Sequence, residues 1–343
     1  MSSASPPAAS TAPRRRRLWL LVVPWTLAAL AMAALSAAWL VLRDRVSAGL
    51  DAAEGSVRAA GVELTLADRR IDGFPFRLRV RTGPVRLAMW SGWVVEAPAL
   101  TAQAFTYNPL HWVFIAPAGL TVVRPEGGPV RVNGTALRAS VAGLRARPWR
   151  VSLVGEGLTF RTPAGARPFS LASAGRIGLY LKPAEGRPGE GAVLLDVGGA
   201  RASRESMVWS FAPEADIDAA VEGRLTRTAA FAGHDWGGSV RRWRDAGGAL
   251  ELGHVEATGG ATELWALGGR VAVGADGRLI GGAPLRLRQA PRMISGPAGA
   301  QTLTVQPLAR ATRDVQSTPV PLTLESGEIR LGPVVVSPSP KVG

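Results

Sequence analysis

The residues able to do chemistry are few and scattered. The chain carries three histidines, His111, His234 and His254, and none stands in a His-Glu-x-x-His or comparable ligand arrangement. His234 adjoins Asp235, but adjacent residues of a helix do not face each other. No Gly-x-Ser-x-Gly elbow seats a hydrolase nucleophile, and no Walker loop cradles a phosphate. Cysteine does not occur, which removes disulfides, thiolate nucleophiles and thiolate metal sites. The one tight acidic cluster is Glu214, Asp216 and Asp218. Its spacing puts the three carboxylates on one side of a strand, as a set for a hard cation such as Ca²⁺ or as plain polar surface. Carboxylate pairs for glycoside cleavage depend on tertiary geometry, and nothing in the sequence selects one. The expectation is a protein without catalytic residues, metal or cofactor.

The net charge is +14, and every basic residue except Lys182 and Lys341 is arginine. These arginines are dispersed rather than striped, and no zinc-finger, RNA-binding or helix-turn-helix pattern accompanies them. Nucleic acid is therefore not an expected partner.

One segment fixes a compartment. Residues 1–17 form a Ser, Ala and Pro-rich tail ending in Arg14 to Arg17, expected to be disordered. Leu18 to Leu42 then contains no charged residue. As a helix it rises about 37 Å, enough to cross a hydrocarbon core about 30 Å thick. Trp19, Trp25 and Trp39 stand towards its ends as interfacial anchors. Four arginines precede the span and one net positive charge follows it in Arg43, Asp44 and Arg45. That asymmetry places the N-terminus in the cytoplasm and exports residues 43–343. A cleaved signal peptide, with its site near Ala37 or Ala38, is the competing reading.

Beyond the span, Val46, Leu50, Ala53 and Val57 recur at helical spacing, so residues 43–60 read as a membrane-proximal helix. From Val62 the apolar period becomes two, in short runs separated by Gly, Pro or Asp. Residues 61–336 thus read as a large, mainly β, antiparallel domain: a groove, a sandwich or a partly open barrel. A short helix is expected near 234–246, with Trp236, Val240 and Trp243 on one face, Asp235 as cap and Gly247 at its end. PLTLESGEIRL reads as a hairpin, and residues 337–343 as a disordered tail.

The stretch GFPFRLRV, residues 73–80, gives the clearest candidate surface. Gly73 admits backbone angles closed to other residues, and Pro75 holds the chain extended. Phe76, Leu78 and Val80 then point one way and Arg77, Arg79 and Arg81 the other. The dry face meets either a second layer of protein or an acyl chain, whose burial is worth about 0.8 kcal/mol per methylene. Phe74, Phe76, Leu78, Val80, Trp90, Trp93 and Trp112 are the lipid-binding candidates, and also ordinary core material.

GFPFRLRV, WVVEAPAL, WRDAGGALELGHVE and RLGP, in this order behind an anchor, resemble an uncharacterised bacterial family of inner-membrane-anchored proteins, a domain of unknown function best known from alphaproteobacteria. The resemblance runs from about Leu18 to Pro333. More distantly the pattern is similar to AsmA-like envelope proteins, which implies a groove-shaped sheet that handles lipid. The functional expectation is a membrane-anchored periplasmic protein of envelope or lipid homeostasis that binds a phospholipid or other envelope lipid without catalysis. A structural adaptor with a closed core and an envelope hydrolase are the alternatives.

Overall fold

The computed structural model describes residues 16–59, 62–89, 91–144, 147–231, 236–288, 292–295, 301–304 and 318–342. Helix α1 runs unbroken from Arg16 to Ala59. The expected span and membrane-proximal helix are thus one rod. Pro24, the ninth residue, stands inside the helix and removes the N–H that would bond the Leu20 carbonyl. Residues Val22–Ala52 are long and apolar enough to cross a membrane.

Behind α1, strands dominate, and 21 of them join one sheet among the described residues. All its strand pairings are antiparallel. In the first half, successive short strands are the halves of one bent strand, so that Arg77–Thr82 bonds Leu100–Phe105 while Val85–Met89 bonds Val94–Ala97; from Arg150 to Ala266 the run is a plain meander in which each strand bonds the next. Short turns and alternating polarity favour this arrangement over crossovers. A separate hairpin pairs Arg292–Ser295 with Gln301–Thr304.

A crease crosses the first half of the sheet. Neighbouring strands break side by side at residues 67–69, 83–84, 98–99, 116–119 and 134–135. The following strands, Arg150–Arg161, Leu171–Pro183 and Gly191–Ala202, carry Gly157, Gly175 and Gly199 along the same line. Gly157 and Gly199 have φ of 56°, which a side chain resists. A Cβ on Gly175 would lie 3.1 Å from the Gly198 carbonyl oxygen, so glycine lets the strands close here. The sheet folds along this line with apolar faces inside. Val132 from one limb and Leu137 from the other pack on the same buried cluster of Leu158, Ala174 and Ala200.

Helix α2 spans Trp236–Asp245. Val240 and Trp243 are buried against Val273, Leu225 and Phe231. Trp236 is half exposed and donates its indole N–H to the Val342 carbonyl at 2.9 Å. Gly247, at φ 74°, ends the helix as expected. The Asp235 cap and His234 lie outside the described residues.

The C-terminal expectation needs correction. The hairpin forms, with Leu322 opposite Leu331 and Leu324 opposite Ile329. The residues after it are not loose: Val334–Pro338 is a further strand, and Ser339 is 1% exposed. Ser339 donates its N–H to the Gly327 carbonyl and its hydroxyl to the Leu279 carbonyl. Prolines remove donors but not acceptors, and at a sheet edge the remaining groups suffice.

Candidate functional site

The register exposes what single strands hide. Ile71, Val80, Ala102, Phe114, Ala139, Leu153, Leu179, Leu195, Val221, Val255 and Ala266 stand opposite one another across eleven consecutive strands. All are apolar. At about 4.8 Å per strand the row is about 48 Å long. Two residues along each strand, the flanking positions on this face are apolar too, among them Leu78, Trp112, Val141, Leu181 and Val193. One residue along, the opposite face reads Arg79, Gln103, Val113, Ser140, Ser152, Tyr180, Leu194, Glu222, His254. Ser140 and Ser152 share a hydrogen bond of 2.9 Å there, and Arg176 faces Asp196 at 3.8 Å. One face is therefore oil and the other water, as an antiparallel sheet permits.

Coverage of the oily face is uneven. At one end Leu78 is 0% and Val80 4% exposed; at the other Ala266 packs with Ala283 and Leu285 in a buried cluster. In the middle, Leu153 is 45% and Leu179 38% exposed, although they pair directly. Among the described residues the face is an open trough between two closed ends, not an enclosed cavity. Concavities of about 200, 450 and 350 Å³ lie instead at turns, lined largely by Arg, Glu, Gly and Pro, and none includes a residue of the row.

The sequence-derived candidates disperse over this plan. Leu78 and Val80 are on the apolar face but sealed, which corrects their reading as accessible lipid contacts: their strand lies where the sheet is covered. Phe76 is not buried with them. It sits in the turn before strand Arg77–Thr82 and is 56% exposed, as is Phe74. Trp112 is half-buried on the apolar face, its indole donating to the Pro109 carbonyl at 3.0 Å. Trp93 belongs to a turn on the far side of the crease, where its carbonyl accepts from Met89. Trp90 lies outside the described residues. Leu153, Leu179 and Leu195 escaped sequence reading. The runs of Leu153 and Leu195, WRVSLV and AVLLDV, read as strands, but a strand pattern alone does not tell which strand ends up uncovered.

The acidic cluster does not converge. Glu214 lies in a turn at φ 56°, and its carboxylate reaches Arg204 at 3.4 Å. Asp216 pairs with Arg201 at 2.9 Å, and Asp218 accepts the Gly199 N–H at 2.9 Å. Among the described residues no group of His, Asp or Glu is placed to hold a metal.

The GFPF turn has a different partner from the one its sequence suggested. Gly73 has φ 101°, and a Cβ there would meet the Arg77 carbonyl oxygen at 2.7 Å, so glycine is required. The Phe74–Pro75 peptide is cis. Arg77 donates its N–H back to the Gly73 carbonyl. Onto this turn docks Trp39 of α1, 7% exposed, its indole N–H on the Arg77 carbonyl at 2.8 Å and its ring edge-on to Phe74 at 5.3 Å. The expected interfacial anchor is also the bolt between helix and sheet.

No curated protein and no solved structure matches the chain. The model of a family described as "Uncharacterized protein conserved in bacteria (DUF2125)" matches residues 39–340, from the Trp39 bolt to the packed C-terminal strand, and the chain belongs to that family.

Proposed function

We propose that the protein is a single-span inner-membrane protein whose β body lies in the periplasm and shelters the acyl chains of an envelope lipid in the apolar trough. The arginine run before the span and the near balance after it support the orientation. The observation that carries the lipid reading is the uncovered centre of the row. Leu153 and Leu179 stand half in water between apolar neighbours, on a face whose two ends are sealed. An acyl chain laid there replaces water at about 0.8 kcal/mol per buried methylene. No bond is made or broken in this reading.

The test is lipid recovery. Full-length protein is purified from bacterial membranes in mild detergent, and its lipids are counted by mass spectrometry. Leu153→Asp with Leu179→Asp removes the trough lipid while the lipids around α1 stay. Equal recovery from the folded double variant would favour the adaptor reading, in which the sheet holds no ligand.

A further inference from the structure

We infer that one end of the sheet is a membrane-seating rim that rests in the bilayer interface beside α1. The inference rests on the anchor half of the proposal above, not on the trough holding lipid. The direction of α1 sets the geometry. Trp39 touches the 73–77 turn, while Asp51 pairs with Arg69 at the crease, 2.6 Å away. The helix therefore runs from the turn towards the crease, and the residues before Trp39 project past the turn. From Val22 to Ala38 that is about 26 Å of helix, close to one hydrocarbon core. Val22, Trp25, Leu27 and Leu30 on it are exposed. The bilayer surface then falls at the level of the GFPF turn.

In a meander, alternate turns share an end. The connections after Asp72, after Phe105 and after Ala142 are neighbours at this end. Each carries exposed large apolar groups: Phe74 and Phe76, Phe105 and Tyr107, Leu144 and Trp149. Tyr107, 73% exposed, stacks on Phe105 at 5.0 Å, and Thr106 ties this turn to the GFPF turn through the Pro75 and Phe76 carbonyls. Arginine accompanies each: Arg43 near Trp39, Arg77 over Phe105, Arg147 over Trp149. Aromatic rings with adjacent cations are what a headgroup layer holding anionic lipid accepts. The occupant is thus lipid, because the rim is continuous with the projecting apolar helix.

The chain has no cysteine, so single labels are clean. Phe76→Cys, Tyr107→Cys, Leu30→Cys and Ala164→Cys are labelled with a polarity-sensitive fluorophore in full-length protein. Ala164 belongs to a turn at the opposite end of the sheet. The proteins are set in nanodiscs of phosphatidylethanolamine and phosphatidylglycerol, without spin label or with lipids spin-labelled either near the headgroup or deep in the acyl chain. Probes at 76 and 107 should emit blue-shifted and be quenched several-fold more than at 164. Quenching at 76 and 107 equal to that at 164, with quenching at 30 by deep-labelled lipid retained, overturns the rim alone. Blue-shifted but unquenched emission at 76 and 107, the mark of a protein partner or second copy, also overturns it. Water-exposed emission at 30 overturns the anchor and the rim together.

Discussion

Val80 and Leu153 belong to one row on one face of one sheet, yet the first is 4% exposed and the second 45%. Their strands alternate in the same way, and their immediate cross-strand neighbours are alike in kind. What separates them is what lies above them. Near Val80 the sheet is covered close to where α1 packs on the first strands; near Leu153, among the described residues, no layer closes over it. Apolar alternation therefore specifies a dry face. It does not specify whether protein or ligand keeps that face dry.

Substitutions that treat the two places alike should break them apart. Leu78→Ala empties a fully buried site, and a loss of about 3 kcal/mol in the denaturant midpoint free energy is expected. Gly73→Ala forces a side chain into φ 101° and against the Arg77 carbonyl, at a cost of about 2 kcal/mol, and should loosen Trp39 as well. Trp39→Phe keeps an aromatic ring but deletes the bond to the Arg77 carbonyl and part of the buried indole, for about 1 kcal/mol from the bond alone. Leu153→Ala with Leu179→Ala in delipidated protein should cost less than either of the first two, about 1 kcal/mol or under, because both side chains are already part-exposed. A loss as large as that of Leu78→Ala would mean the trough is core.

The smallest effect concerns the link between distant turns. Glu126, at the turn after strand Leu120–Arg124, meets Arg278 at 2.6 Å across 152 residues of chain. The hydrogen bond from Arg278 holds the Glu126 carboxyl below its usual range. A depressed carboxyl stabilises the fold above its unfolded pKa, and that contribution fades as pH falls through its folded pKa. Comparing denaturation at pH 7 with that below the carboxylate range, Arg278→Met should show a smaller acid sensitivity than the parent. The pair is half exposed, so the difference is small.

The chain's broad plan was legible because its signals are local. A charge-free block, a switch of period at Val62, and Gly247 after a Trp-Val-Trp face need no knowledge of neighbours. The site was legible only in part. Leu78 and Val80 were placed on the right face, but their cover comes from elsewhere in the chain. Phe76 was counted into the strand, which begins one residue later, at Arg77, and its ring is left exposed. Trp39 read as a lipid anchor because its bond to Arg77 spans 38 residues, beyond any local pattern. The tail's order rests on side-chain and carbonyl bonds of Ser339 and Pro340 that composition does not reveal.

The central claim is that the open middle of the row faces lipid in the cell. A photo-crosslinking amino acid placed at Leu153 or at Leu179 in full-length protein, irradiated in living bacteria, should yield lipid adducts by mass spectrometry, and the same residue at Arg176 on the polar face should not. Absence of lipid adducts at 153 and 179, or equal yield at 176, would contradict it.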